Sequence, residues 1–179
     1  LTCEYSCIAT NKLIELSIKK KVSKFIFASS ASVNGVKKDR KVTENLSLEP
    51  ISIYNKAKMI TERTILSYAD KINITIIRPA TVCGISPRMR FDVSVNMMTY
   101  QALKNGTMTV FGGQQTRPNI HIDDLLDIYI FFFKKDKKFN GIFNAGFENL
   151  KIIEIAKKVQ KLIPSKINII KKNIDIRDY

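Results

Sequence analysis

Glycine is scarce in this sequence. The seven glycines stand at 35, 84, 106, 112, 113, 141 and 146. No three of them make the G-x-x-G-x-x-G spacing with which a strand-to-helix turn cradles a pyrophosphate. Cysteine is scarcer still, with Cys3, Cys7 and Cys83 alone. An odd, sparse set of thiols points to a reducing compartment and excludes a disulfide framework. Cys3 and Cys7 can share a helix face, but two thiols with no further Cys or His nearby make a poor zinc site. The one histidine is His121. The longest apolar run, "IYIFFF" at Ile128–Phe133, is far shorter than the roughly 20 residues of a membrane-spanning helix. The opening "LTCEYSC" lacks the basic-then-apolar pattern of a signal peptide.

What is present suffices for a folded domain. The 179 residues are 45% hydrophobic, enough to bury a core. The formal net charge is +14. Such a charge suits an anionic partner, whether nucleic acid, membrane or a phosphorylated small molecule. The basic residues, however, are spread through "IKKKVSK", "VKKDRK", "KKDKK" and "AKKVQK", at element edges and in loops. They lack the interleaved aromatics of a single-strand nucleic-acid groove. We therefore expect a solvated basic surface, with no nucleic-acid or membrane partner. The chain starts on leucine and stops within "NIDIRDY" without a terminating element, so both ends are expected to be cuts in a longer protein.

Element signals alternate along the chain. Ile8–Lys20 is apolar at 13, 14, 16 and 18 and ends in cations, as an amphipathic helix does. "KFIFASS" is a short buried strand that runs into small polar residues, and Asn34-Gly35 is a turn signal. A polar loop, "DRKVTENLSLEP", leads to a helix over Ser52–Asp70. "INITIIRPATV" is a second buried strand, ended by Pro79. Helix, strand, loop, helix, strand is the order of a parallel sheet with helices on its faces. Further on, helices are expected over Phe91–Lys104, Asp123–Lys134 (capped by Asp123) and Leu150–Leu162. Strands are expected in "TMTVFGG", "PNIHIDD", "GIFNAG" and, as a lysine-guarded edge, "SKINIIKK".

The chemistry gathers at one strand end. Ser29, Ser30 and Ser32 lie at the carboxyl edge of the first strand, where open α/β sheets bind ligands. The next helix carries Tyr54 and Lys58, four residues apart and so on one face. They can be two surface residues of a solvated helix, or an acid and the cation that tunes it. A free tyrosine, with a pKa of about 10, is a poor base at neutral pH. A neighbouring ammonium favours the phenolate. Serine, tyrosine and lysine together can move a proton on or off an alcohol. The accompanying hydride needs a cofactor.

The segments "FIFASSASVNG", "YNKAK", "IIRPATVCG", "VFGGQQTRPNIHIDD" and "FNAG", in that order, resemble the extended short-chain dehydrogenase/reductase family in its nucleotide-sugar epimerase and dehydratase branch. The likeness runs from the helix before "KFIF" to the last strand. It implies an α/β fold: part of a Rossmann-like, doubly wound parallel sheet in residues 1–84, with catalytic Ser, Tyr and Lys. Residues 85–179 would be mainly a small substrate-binding region interleaved with late sheet elements. It implies Ser30 as the active-site hydroxyl, Tyr54 as acid/base, and Lys58 as the residue that bonds the nicotinamide ribose and lowers the Tyr54 pKa. Ala28, Pro79, Ala80 and Val82 would line the nicotinamide end of NAD, with NADP the other form the family uses. Thr81, Asn96, Phe111, Arg117 and Ser30 would meet the nucleotide sugar, Arg117 at its phosphates or ribose. The implied partners are a nucleotide-diphosphate sugar and, in the whole protein, a second copy in a homodimer; the implied location is the cytoplasm. His121 is expected to be structural, Arg78 to order its strand end, and Asp123 and Asp124 to cap a helix rather than bind metal.

The departures from the family pattern carry information. Asn34 and Cys83 stand where tyrosines are usual, Thr81 where asparagine is usual, and Ser6 where an asparagine near the cofactor is expected. The Gly-rich phosphate loop belongs to a first strand that this chain would lack. The 4,6-dehydratases follow their active-site hydroxyl residue with Asp-Glu, whereas Ala31 and Ser32 follow here and neither offers a carboxyl. Dehydration is disfavoured. An epimerase of the UDP-glucose 4-epimerase kind fits, with a nucleotide-sugar ketoreductase next. A non-catalytic nucleotide-binding relative and a basic nucleic-acid binder are the readings from other classes.

Overall fold

The computed structural model describes residues 4–37, 41–135 and 139–171. Cys3, parts of the basic stretches "VKKDRK" and "KKDKK", and "NIDIRDY" lie outside them. The chain divides into two compact units, one of residues 1–80 and 126–145 and one of residues 81–125 and 146–179.

The first unit is built on a parallel sheet in the order β1 (Lys24–Ala28), β2 (Asn73–Pro79), β6 (Gly141–Ala145). β1 and β2 pair in register from Lys24↔Asn73 to Ala28↔Ile77, and β2 pairs with β6 from Thr75↔Gly141 to Pro79↔Ala145. Parallel neighbours place their carboxyl ends at one edge. Ala28, Pro79 and Ala145 close that edge. Helix α1 (Thr10–Lys19), preceded by a wide helical turn over Glu4–Ala9, and helix α2 (Ile53–Leu66) supply Ile14 and Ile65 to a buried cluster. Phe25, Phe27, Ile74 and Ile76 of the sheet, with Ile72 just before β2, complete it. β2 is buried on both faces through Ile74, Thr75, Ile76, Ile77 and Arg78, as a central parallel strand is.

α2 starts where a serine can cap it. Ser52 Oγ accepts the Asn55 N–H at 3.1 Å. Inside the helix, Glu62 receives both arms of Arg78: Nε to Oε1 at 2.9 Å and Nη2 to Oε2 at 2.6 Å, with both side chains buried. The strand-end ordering expected of Arg78 is thus a bidentate ion pair to a helix. Helix α4 (Ile122–Lys134) brings Phe132 against Phe143 of β6, ring centroids 4.6 Å apart. Lys24 Nζ donates to the carbonyls of Phe132 and Phe133 at its carboxyl end.

In the second unit, β3 (Thr81–Cys83), β5 (Thr116–His121) and β7 (Glu148–Lys151) form one small sheet, and β4 (Thr107–Phe111) and β8 (Lys166–Ile170) a two-stranded parallel ribbon. Met98 and Ala102 of α3 (Ser94–Asn105), Met108 and Val110 of β4, and Ile152, Ile155, Ala156 and Val159 of α5 (Ile152–Leu162) make its core.

β2 ends at Pro79, as expected, and after Ala80 the chain resumes as the separate strand β3. Two expectations need correction. The last helix starts at Ile152, since Glu148–Lys151 pairs antiparallel with β5, and Leu162 at its end is exposed. Asp123 does not cap α4. Its N–H instead goes to His121 Nδ1 at 3.3 Å, so the histidine side chain takes that role.

The Arg78–Glu62 pair generates a stability prediction. Removing one partner of a buried pair strands the other charge and costs about 3–5 kcal/mol. Arg78→Met should show a loss of that size in urea unfolding of the natural gene product, and Arg78→Met with Glu62→Leu should recover most of it. A single-variant loss under about 1 kcal/mol, the size of an exposed pair, would contradict the assignment.

Candidate active site

Ser30 stands just past β1, where the backbone turns. It is the N-cap of a short 3-10 turn over Ala31–Asn34, which ends at Gly35 with φ of 72°. A Cβ at Gly35 would run into the backbone carbonyl of Glu49, so both conformation and space require glycine. Asn34, standing where tyrosine is usual, is buried and donates from Nδ2 to the Ala31 carbonyl at 3.0 Å. The turn faces α2. Ser30 Oγ and Ser32 Oγ are 2.7 Å apart, and Ser32 Oγ donates to Asn55 Oδ1 at 2.7 Å. The Ser32 N–H reaches Ser30 Oγ at 3.3 Å.

Tyr54 and Lys58 occupy one face of α2, as their spacing predicts. Tyr54 is 46% exposed. Lys58 Nζ donates to the Ala28 carbonyl at 2.8 Å and lies 4.8 Å from the Phe27 ring centroid and 5.8 Å from that of Tyr54. Partial burial pulls the Lys58 ammonium below its ordinary value, and the Glu62 carboxylate one turn further on pulls the other way. The structure therefore gathers Ser30, Tyr54 and Lys58 at the carboxyl edge of one sheet. Ala28 and Pro79 end neighbouring strands of that sheet. Ala80 is buried there, its N–H on the Ala145 carbonyl at 2.7 Å.

The donor set fits one flank of a dinucleotide. An ammonium has three N–H donors and the Ala28 carbonyl takes one. Ser29 Oγ is buried in the same turn without a hydrogen-bond partner.

The remaining residues expected at the site lie in the second unit. Thr81 opens β3 opposite Asn119, and Arg117 lies on neighbouring β5, buried, with Nη1 on the Thr116 carbonyl at 3.0 Å. Val82 is the middle residue of β3. Phe111 ends β4 and is exposed. Asn96 braces the loop before its own helix: Oδ1 accepts the Gly84 N–H at 3.0 Å and Nδ2 donates to the Arg90 carbonyl at 2.9 Å. Cys83 Sγ donates to the Ile120 carbonyl, and burial pushes its thiol pKa up, away from nucleophilic use. Among the described residues no cluster of His, Cys, Asp or Glu could hold a metal ion, and no helix is long and apolar enough to cross a membrane.

Two contributors escape a reading of the sequence. Ser32 is among the strand-end hydroxyls, but its partner Asn55 becomes visible only when the turn and helix are docked. Glu62 carries a signal, since Tyr54, Lys58 and Glu62 repeat at four-residue intervals along one helical face.

Comparison with known proteins bears on this geometry. The model of the NAD dependent epimerase/dehydratase family matches residues 2–146. A UDP-glucose 4-epimerase of Lactobacillus helveticus is 32% identical over 166 residues, covering 77% of this chain and 49% of that protein. An uncharacterized UDP-glucose epimerase of Bacillus subtilis is 38% identical over 119 residues, covering 65% of this chain and 37% of the relative. The chain thus spans half or less of the length of these relatives. Among solved structures, a UDP-glucuronic acid 4-epimerase from Bacillus cereus, in complex with UDP-glucuronic acid and NAD, matches with a TM-score of 0.81 at 31% identity. That match covers 93% of this chain and 55% of the other. The α/β fold with its parallel sheet is therefore that of the epimerases, and this chain belongs to the NAD dependent epimerase/dehydratase family, a family of NAD-binding enzymes.

Proposed function

We propose that the protein carrying this chain is an NAD-dependent nucleotide-sugar epimerase of the UDP-glucose 4-epimerase kind. The observation that carries this reading is the convergence of Ser30, Tyr54 and Lys58 at one sheet edge, with Lys58 Nζ bonded to the Ala28 carbonyl and 5.8 Å from the Tyr54 ring. The family match and the named relatives support it. Tyr54 takes the proton of the reacting sugar hydroxyl and later returns it. Lys58, held at the strand end, keeps a positive charge near the phenol and so favours its base form. Ser30 orients the sugar hydroxyl. NAD, when bound, would supply the hydride acceptor, and in its reduced form the hydride donor, that oxidation of the sugar carbon and its reversal need. Lys58, Ala28, Pro79, Ala80 and Val82 would hold its nicotinamide end. Thr81, Asn96, Phe111 and Arg117 would serve the nucleotide sugar, with Arg117 offering its guanidinium to phosphate. Ala31 and Ser32 offer no carboxyl for dehydration. A homodimer fits the exposed Leu13 and Leu16 of α1 and Ile53 and Ile60 of α2, and the cytoplasm fits the sparse cysteines.

The test is conversion of UDP-glucose to UDP-galactose by the natural gene product, followed by proton NMR. Tyr54→Phe should slow it by about 10²–10⁴-fold, the range of a lost acid/base group. A wild-type protein without conversion, or a Tyr54→Phe variant as fast as wild type, would remove the reading.

A pH dependence follows from the lowered Lys58 pKa. As pH rises through that value the ammonium loses its proton and the Tyr54 base loses its support. The alkaline fall in kcat should therefore set in below the pH at which a solvent-exposed lysine titrates. Lys58→Arg, whose guanidinium stays protonated, should move the fall upward in whatever activity remains. An alkaline limb unmoved by that change would separate Lys58 from the titration.

A further inference from the structure

The hydrogen bonds around Ser30 have a direction. A serine hydroxyl has one proton to give. Ser32 gives its proton to Oδ1 of Asn55, a residue only 5% exposed, across 2.7 Å. The Ser30–Ser32 contact, also 2.7 Å, then needs its proton from Ser30. Ser30 Oγ in turn receives the Ser32 N–H at 3.3 Å. Its proton is directed inward along the relay, leaving a lone pair as what it can show to a ligand.

From this we infer that Asn55 and Ser32 are positioning residues that set the polarity of Ser30, so that the resting site takes a nucleotide sugar in its alcohol form in preference to the keto form. The inference rests on the epimerase reading for its ligand. A sugar hydroxyl can donate to Ser30, whereas a keto oxygen is an acceptor only and meets lone pair with lone pair. To donate to a ketone, Ser30 must give up its bond to Ser32, or Ser32 must turn and leave Asn55 Oδ1 buried without a partner. Either route opposes the ketone. The consequence suits an epimerase more than a ketoreductase. The entering hydroxyl is held, and once its proton has turned to Tyr54 the keto oxygen is no longer gripped by Ser30. A loosened grip is what a sugar needs to present its other face. A reductase that draws keto-sugars from solution would need the opposite polarity.

The deciding experiment has two parts. Neutron diffraction on the deuterium-exchanged natural gene product locates the hydroxyl deuterons at Ser30 and Ser32 whether or not the protein is active. The inference expects the Ser32 deuteron toward Asn55 and the Ser30 deuteron toward Ser32. A Ser32 deuteron pointing at Ser30, with the Asn55 amide turned to donate, overturns it. Calorimetric affinities for UDP-glucose and for UDP-4-keto-6-deoxyglucose, measured with NAD bound, then test the consequence. Asn55→Ala and Ser32→Ala each free the Ser30 proton and should shift the ratio toward the ketone by roughly fivefold, the worth of one net hydrogen bond. Ser32→Thr keeps the hydroxyl and should keep the wild-type ratio. An unchanged ratio in both alanine variants overturns the inference. Failure of either sugar to bind the wild type would count against the epimerase reading, and the deuteron positions would still decide the relay.

Discussion

The buried pair between Arg78 and Glu62 sets the frame on which the candidate site depends. It joins the two elements that matter most, the central strand β2 and helix α2, through two short hydrogen bonds in a fixed fork geometry. A helix packed by apolar contacts alone can slide by a fraction of an ångström at little cost. One clamped by a guanidinium fork cannot. Arg78 directly follows Ile77, whose partner in β1 is Ala28 and whose carbonyl accepts the Ser29 N–H at 2.7 Å. The backbone leading to Ser30 and the helix bearing Tyr54 and Lys58 are therefore referenced to one point on β2.

On that frame the site separates into two chemistries. Lys58 is arranged by electrostatics, with a carbonyl in contact, a ring face beneath and a carboxylate one turn away. Ser30 is arranged by neutral hydrogen bonds whose sense is decided by the buried oxygen of Asn55. The first is robust to orientation, since charge acts over distance. The second is a matter of which atom holds which proton, and one side chain suffices to reverse it.

Much of this was legible in the sequence because it is local. The Tyr54–Lys58 spacing fixes a helical face regardless of what the helix packs on. "KFIFASS" announces a strand that ends in hydroxyls. Elements specified by partners elsewhere were less legible. Glu148–Lys151 merges with the apolar period of α5 until β5 is available to pair with it. His121 reads as an isolated histidine until Asp123 offers it an N–H. The contact of Ser32 with Asn55 joins residues 32 and 55 across a turn and a helix start, and no periodicity connects them. Arg78 reads as a residue that orders its strand end, but nothing local names Glu62 as its partner, and only their meeting makes burial tolerable.

The turn ending at Gly35 divides this edge into residues of unequal freedom. Position 35 admits no side chain, because the backbone is left-handed and the Glu49 carbonyl occupies the space. Positions 32 and 55 instead meet through side chains, Ser32 Oγ on Asn55 Oδ1. On the proposed reading, this edge therefore holds one position fixed by its backbone and two whose side chains would set how Ser30 meets a substrate.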